Sequence, residues 1–357
     1  MKNNFCITLI TFAIWGFFTS CQTEATTSTS DQQLTLYWID VEGGAATLMV
    51  TPAGESILFD SGNPGERDAG RIHKLATEVA GLQQIDHLVT THFHIDHFGG
   101  AAPLAELMPI SRIHDKGIPD ALPEDQDFSN RIQPYRDIQA QERHLIKPGY
   151  LLPLQKEQGA QNISIRFLGA DQIFVPIKDQ NVPGKGCGQT SQKTQDNSDN
   201  ANSTAFVMKY GPFRFFHGAD LTWNVEETLV CPENLPGEVD LFQVNHHGLD
   251  QSNHPVLVNN LSPTVTVMNN GTRKGCGPET VTTLRNTPSI KNMYQVHKNI
   301  REDSEFNTAD EFIANLEEDC QANYIKLIVA PDGKSYTVSI PGRDHEETYQ
   351  TKGSVNN

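Results

Sequence analysis

Apolar positions along the chain fall into short runs separated by turns. Residues 34–40, 46–51 and 57–60 read as strands, with Pro52-Ala53-Gly54 turning between the last two. Ile72, Leu75, Ala76 and Val79 form one stripe and predict a helix over 68–80, stopped by Gly81. Strands at 87–91 and 112–114 flank a short helix at 101–107. Residues 115–148 are polar, with a helical stretch at 135–143, and 150–154 and 163–168 read as strands. Residues 176–202 are poor in hydrophobic residues and predict a long surface loop. Beyond it come a hairpin (205–210 and 213–217), a helix (221–230), a strand (240–244), a helix (254–261), a strand (264–268) and a helix (279–285). A last hairpin, 324–329 and 335–340, precedes a flexible tail at 346–357. The pattern has no internal repeat and no linker. It predicts one α/β domain over 34–345, with two mixed sheets packed together and helices outside.

The amino terminus follows a different logic. Lys2 precedes an apolar segment, 5–18, of signal-peptide length and too short for a membrane span. The junction Ser20-Cys21 resembles the lipobox of bacterial lipoproteins, which implies a signal peptide over 1–20, lipidation at Cys21 and a polar tether over 21–33. A plain secretory signal cut at a nearby small residue is the alternative. Either reading places the domain outside the cytoplasm, and the first anchors it to a bacterial membrane.

Composition narrows the partners. A net charge of −17 disfavours a stable nucleic-acid complex, since such binding rests on Lys and Arg neutralising phosphates. With Cys6 in the leader and Cys21 assigned to lipid, Cys187, Cys231, Cys276 and Cys320 remain. No CxxC spacing suggests a zinc ribbon. An oxidising compartment predicts at least one disulfide among the four, with Cys187–Cys276 favoured because both lie in Gly-rich loops.

Chemistry concentrates in Thr91-His92-Phe93-His94-Ile95-Asp96-His97-Phe98-Gly99-Gly100. His92 and His94, two apart on an extended backbone, point the same way and can meet one ion. Asp96 and His97 follow on the turn and can meet a second. Neutral imidazoles with a carboxylate are what zinc takes, with manganese or iron as alternatives.

This H-x-H-x-D-H string resembles the signature of the metallo-β-lactamase superfamily. Leu58-Phe59-Asp60-Ser61-Gly62, Gly218-Ala219-Asp220 and Asn245-His246-His247-Gly248 resemble its further motifs, in order. The resemblance implies a four-layer αββα sandwich, a supporting role for Asp60 and a metal-bridging Asp220. The implied metal ligands are His92, His94, Asp96, His97, Asp220 and His246, with Asp96 and Asp220 also catalytic. His247 is expected to face substrate or donate a hydrogen bond. Arg273 and Lys274, on a turn after the strand 264–268, are candidates for an anionic group of substrate, or else form a solvated turn. Ile39-Asp40-Val41-Glu42-Gly43-Gly44-Ala45 and His246-His247-Gly248 further resemble the extracytoplasmic domain of the DNA-uptake competence protein ComEC. Glu42 and Gly44 depart from that motif's usual glutamine and aspartate. Many superfamily members also carry a third histidine between the string and the bridging aspartate. Here that interval holds His114, His144 and His217, none well placed, and Asp199, Asn200 and Asn202 stand in the region instead.

The function implied is an extracytoplasmic hydrolase using one or two ions and a metal-activated water. The ComEC likeness points to a phosphodiester-type bond in a small molecule or short oligonucleotide. The alternatives are an amide, ester or lactam hydrolase, or a metal-binding surface lipoprotein without turnover. Oligomeric state is left open.

Overall fold

Alternation within single strands sets up the layers. In Thr35–Trp38, Leu36 and Trp38 join one apolar cluster and Tyr37 another; in Ser56–Phe59, Ile57 and Phe59 separate from Leu58 in the same way. Both strands are therefore buried on two faces, which demands cover on each. The protein is described here by a computed structural model, covering residues 1, 33–155, 161–176, 182–302 and 304–354. The leader, Cys21 and most of the tether lie outside the described residues. No helix among the described residues is long and apolar enough to cross a membrane.

Two mixed sheets supply the layers. The first runs His345–Gln350, Ser335–Ile340, Ile325–Val329, Thr35–Trp38, Thr47–Val50, Ser56–Phe59, Ile85–Val89, Ile110–Asp115 and Glu142–Leu145. The second runs Ile313–Asn315, Asn292–His297, Val265–Met268, Leu241–Gln243, Phe213–His217, Ala205–Tyr210, Ile163–Ala170 and Ile173–Phe174. Between them lies a core that includes Trp38, Phe59, Phe206, Phe215, Val267 and Tyr336. Helices Glu66–Lys74 and Ala101–Leu107 cover the outer face of the first sheet through Ala69, Ile72 and Leu104. Helices Trp223–Thr228, Pro255–Leu261 and Pro278–Asn286 cover the second through Val225, Leu257, Val281 and Leu284. This is the αββα sandwich expected from the sequence.

Strands Ser56–Phe59, Ile85–Val89 and Ile110–Asp115 run parallel, as do Phe213–His217, Leu241–Gln243 and Val265–Met268. The motifs follow these strands, so they gather outside the carboxyl ends of parallel strands, where open α/β sheets hold ligands.

Several local expectations change. The tail is ordered: His345–Gln350 pairs antiparallel with Ser335–Ile340. Its alternation places Tyr349 inward, where its hydroxyl meets that of Tyr294 at 3.0 Å, while Glu346 and Thr348 face out. Helical structure near 135 ends at Arg136, and Glu142–Leu145 becomes an edge strand beside Ile110–Asp115. The segment at 150–154 makes a single bridge, Leu151 to Arg166, rather than a strand. Cys187 bonds to Cys231, not to Cys276. Cys276 is buried with its sulfur 3.5 Å from Met268 Sδ.

Candidate metal centre

Sharp turns after the strands aim the polar groups. Asp60, Ala219, His246 and His247 all have positive φ, at 58°, 50°, 52° and 53°. Non-glycine residues held in this region are strained, and such strain clusters where side chains must be aimed. Close backbone packing completes the arrangement. A Cβ on Gly100 would lie 2.0 Å from the Ser61 carbonyl oxygen, so that turn admits only glycine. A Cβ on Gly44 would lie 2.6 Å from the Asp96 carbonyl oxygen, which leaves no room here for an aspartate.

The inward-facing groups converge on Asp220. Its Oδ2 lies 3.2 Å from His97 Nε2, 3.2 Å from His247 Nε2 and 3.7 Å from His246 Nε2. Asp96 Oδ2 lies 3.2 Å from His247 Nε2 and 3.6 Å from His97 Nε2. By distance, His92, His97 and Asp220 make one group able to hold an ion, and Asp96, His97 and His247 a second. The ring of His92 lies 4.1 Å from that of His97 and 4.9 Å from that of His94.

His97, His246 and His247 are each tied at one ring nitrogen and turn the other toward Asp220. His97 Nδ1 meets Asp60 Oδ2 at 2.8 Å, and Asp60 in turn accepts from the Thr91 backbone N–H and hydroxyl. His247 Nδ1 meets the Asn269 carbonyl at 2.9 Å, His246 Nδ1 the Ser252 hydroxyl at 3.1 Å and His94 Nε2 Glu124 at 3.0 Å. Such partners fix the tautomer and orientation of metal-binding imidazoles. His92 Nε2 is buried without a partner among the described residues, as a ligand atom aimed at an ion would be. The donor set therefore fits one or two divalent ions.

Charge is arranged to match. Burial opposes ionisation of Asp96 and Asp220, but His97 and His247, helped by Lys274 at Asp96, hold both carboxyls well below the usual range. Burial also opposes a charged His97, yet Asp220, Asp60 and Asp96 outweigh it and raise that imidazole well above 6.5. Burial pushes His246 down to about 4, and it lowers His92 well below 6.5 with help from His97; both rings are neutral and ready to ligate.

The signs give a pH dependence. In metal-free protein the His97 contribution to stability is full below pH 6.5 and is lost as pH rises through its raised value. The Asp96 and Asp220 contributions are present above pH 3.8 and are lost as pH falls through their depressed values. An ion entering the centre must displace the His97 proton. Metal uptake near pH 6.5 is therefore expected to release protons and to tighten with rising pH. Calorimetry in buffers of different ionisation enthalpy measures this, and equal heats in all of them would count against it.

The remaining candidates part company. Lys274 Nζ donates to Asp96 Oδ2 at 2.6 Å, at the centre. Arg273 does not reach it; its guanidinium is largely exposed beside Glu318. Of the tandem histidines, His247 joins the Asp96–His97 group, while His246 Nε2 stays 3.7 Å from Asp220 Oδ2. His297 is fully buried, 2.5 Å from Asp40 Oδ1. Asp40, Glu42, His297 and Cys320 form a further cluster of metal-competent groups, but Arg71 already donates to Asp40 there at 2.8 Å.

Three supporting acids or bases were not legible. Glu226, buried in the helix Trp223–Thr228, accepts from Asn245 Nδ2 and the backbone N–H groups of Asn253 and His254, holding the strained histidine turn. Burial raises its carboxyl to about 7 despite those donors. Glu124 and Lys116 fix the other side through Asp199: the Asp199 N–H donates to Glu124 and Lys116 Nζ meets Asp199 Oδ1 at 2.9 Å. All three partners are distant in sequence and follow no spacing rule.

Residues 39–163 match the model of the metallo-beta-lactamase superfamily. That segment is similar to the metallo-beta-lactamase superfamily. The matched span includes Asp60 and the histidine string and stops before Asp220 and the tandem histidines, which the fold brings to the same centre.

Among solved structures, the chain is similar to CmlA, a diiron beta-hydroxylase from Streptomyces venezuelae, at 16% identity and a TM-score of 0.35, over 66% of this chain and 44% of that one. A metallo-beta-lactamase from Hirschia baltica gives 14% identity and a TM-score of 0.27, over 50% and 60%. A Parabacteroides distasonis protein assigned as a metal-dependent hydrolase gives 11% and 0.39, over 73% and 92%. The chain thus spans about half the length of the CmlA structures it matches, 52% and 44%. Similarity at these scores assigns no activity. No curated protein matches the sequence.

Proposed function

We propose that the protein is an extracytoplasmic hydrolase that cleaves a phosphodiester-type bond in a small or short anionic substrate. The observation that carries this reading is the placement of Lys274, whose ammonium rests on Asp96 beside the Asp220 hub. A cation at the rim of a hydrolytic metal centre suits a phosphoryl oxygen better than a neutral amide or lactam. The acidic chain disfavours long polyanions and leaves short ones.

Asp96, His97, His247 and Asp220 would hold an ion on one flank; His92, His94, His246 and Asp220 would hold one on the other. Bound there, divalent ions supply Lewis acidity and activate water near neutral pH. Asp220 and Asp96 orient the attacking water and take up its proton. Asp60 keeps the His97 ring turned toward Asp220 through the 2.8 Å contact at Nδ1. Lys274 exchanges its bond to Asp96 for the substrate anion. Anchoring through Cys21 belongs to the same proposal, with membrane release by detergent but not by salt as its mark.

An aryl phosphodiester, an aryl ester and a β-lactam, compared on the metal-loaded protein, test the reading. Turnover of the diester, lost on chelation and restored by divalent metal, is the expected result. Lys274→Met is expected to raise KM for the diester more than it lowers kcat. Turnover of the ester or lactam alone would overturn the phosphodiester assignment.

A further inference from the structure

The flank formed by His92 and His94 lacks the third intervening histidine that many superfamily members have, and the structure narrows what stands in its place. The three histidines of the interval are committed elsewhere. His114 lies 2.9 Å from His87 Nδ1 and 3.0 Å from the Tyr150 hydroxyl, one contact at each ring nitrogen. His144 turns to Glu142 at 2.7 Å on the edge strand. His217 accepts from the Ala219 N–H at 3.1 Å and meets Gln243 Nε2 at 2.8 Å. Asp199 is also committed: Oδ2 accepts from the Phe93 N–H at 2.7 Å and Oδ1 meets Lys116 at 2.9 Å. Asn202 accepts from Gln172 at 3.0 Å and its own amide points at Asp199.

Asn200 differs from all of these. It is 9% exposed, and its Nδ2 lies 3.2 Å from His246 Nε2. Its Oδ1 is buried and has no hydrogen-bond partner, the same condition as His92 Nε2. A buried, unmatched acceptor costs about 1–3 kcal/mol, so Asn200 Oδ1 and His92 Nε2 each call for a donor or a cation. Rotating the amide by about 180° exchanges its two ends and brings the oxygen beside His246 Nε2. The turn Asp199–Asn202 is held firmly enough to keep that aim. The Thr204 N–H donates to the Thr91 carbonyl at 3.0 Å, and the Asp220 N–H donates to the Ser203 hydroxyl at 3.3 Å.

We propose that Asn200 supplies an amide oxygen to the ion on the His92–His94–His246 flank, standing in for the missing histidine. The inference rests on the metal-hydrolase reading. An amide oxygen is a harder donor than an imidazole and carries no charge, so this flank is the weaker one and favours manganese over zinc relative to an all-histidine site.

Titrating chelated full-length protein with Mn²⁺ and with Zn²⁺ by calorimetry, and with Co²⁺ by absorption, tests this without any assay of activity. Wild type is expected to bind a tight and a weaker equivalent. Asn200→Ala should weaken the weaker equivalent by more than the roughly 10–100-fold that an outer partner costs. Asn200→Asp should tighten Mn²⁺ binding there, and Asn200→His should shift preference toward Zn²⁺ and change the Co²⁺ spectrum. Gains of affinity do not arise from misfolding. If all three variants titrate as wild type does, the assignment of Asn200 is overturned and the hydrolase reading stands. If wild-type protein binds no metal, both fall.

Discussion

Asp220→Asn is expected to remove nearly all turnover while leaving the fold intact. The substitution keeps the shape of the side chain and removes its charge. Asp220 is the group that touches both flanks, with Oδ2 at 3.2 Å from His97 and from His247 and 3.7 Å from His246. Without its charge, ions on either flank lose a carboxylate ligand, and His97 loses the largest influence favouring its charged form. Loss of an outer partner already costs about 10–100-fold in affinity or activity, so loss of this shared ligand should exceed about 100-fold in kcat. Asp96→Asn is the informative contrast, because among the described residues the Asp96 carboxylate pairs with His97, His247 and Lys274. It should release one equivalent of metal where Asp220→Asn weakens both. Wild-type kcat and metal content in Asp220→Asn would sink the hub assignment.

Cys187→Ser with Cys231→Ser is expected to cost about 4 kcal/mol of stability, the chain-entropy value for a bridge across 44 residues. For a domain of this size that corresponds to a fall in Tm of roughly 5–10 °C. The bridge matters beyond stability because it closes the insertion that delivers Asp199 and Asn200 to the centre. Lys193, in the same insertion, is tied to Asn224 by its backbone N–H at 3.0 Å. Metal affinity on the His92 flank should fall together with Tm. Peptide mapping without reductant should recover Cys187 linked to Cys231. A Cys187–Cys276 peptide, or an unchanged melting curve, would contradict the structure.

Much of this was readable along the chain because it is local. Strand alternation at Leu36, Tyr37 and Trp38 depends on the two-residue period of extended backbone, and it yields a doubly buried strand wherever the sheet lies. The stripe Ile72, Leu75 and Ala76 needs only the helical period. His92, His94, Asp96 and His97 sit close together because they are neighbours in sequence. Covalent spacing alone concentrates those donors, and the motif order around them was enough to expect an αββα sandwich.

What separates neighbours, and what joins distant residues, belonged to the tertiary structure. His246 and His247 are adjacent in sequence, but consecutive positive φ angles send them to opposite flanks of Asp220. No pattern of residue types encodes that division. Cys187 pairs with Cys231 because the insertion folds back along the helix Trp223–Thr228, whereas the Gly-rich settings in the sequence favoured Cys276. The tail from 346 onward reads as flexible in the sequence. It forms a strand because an open sheet edge and the Tyr294 hydroxyl supply partners that only the assembled sandwich presents. Arg273 and Lys274 are adjacent cations on one turn; the turn's orientation puts Lys274 on Asp96 and leaves Arg273 in solvent. In each case the sequence determined which groups were available through short-range covalent geometry. Only long-range packing, which fixes backbone direction at the ends of strands from both sheets, decided which of them meet.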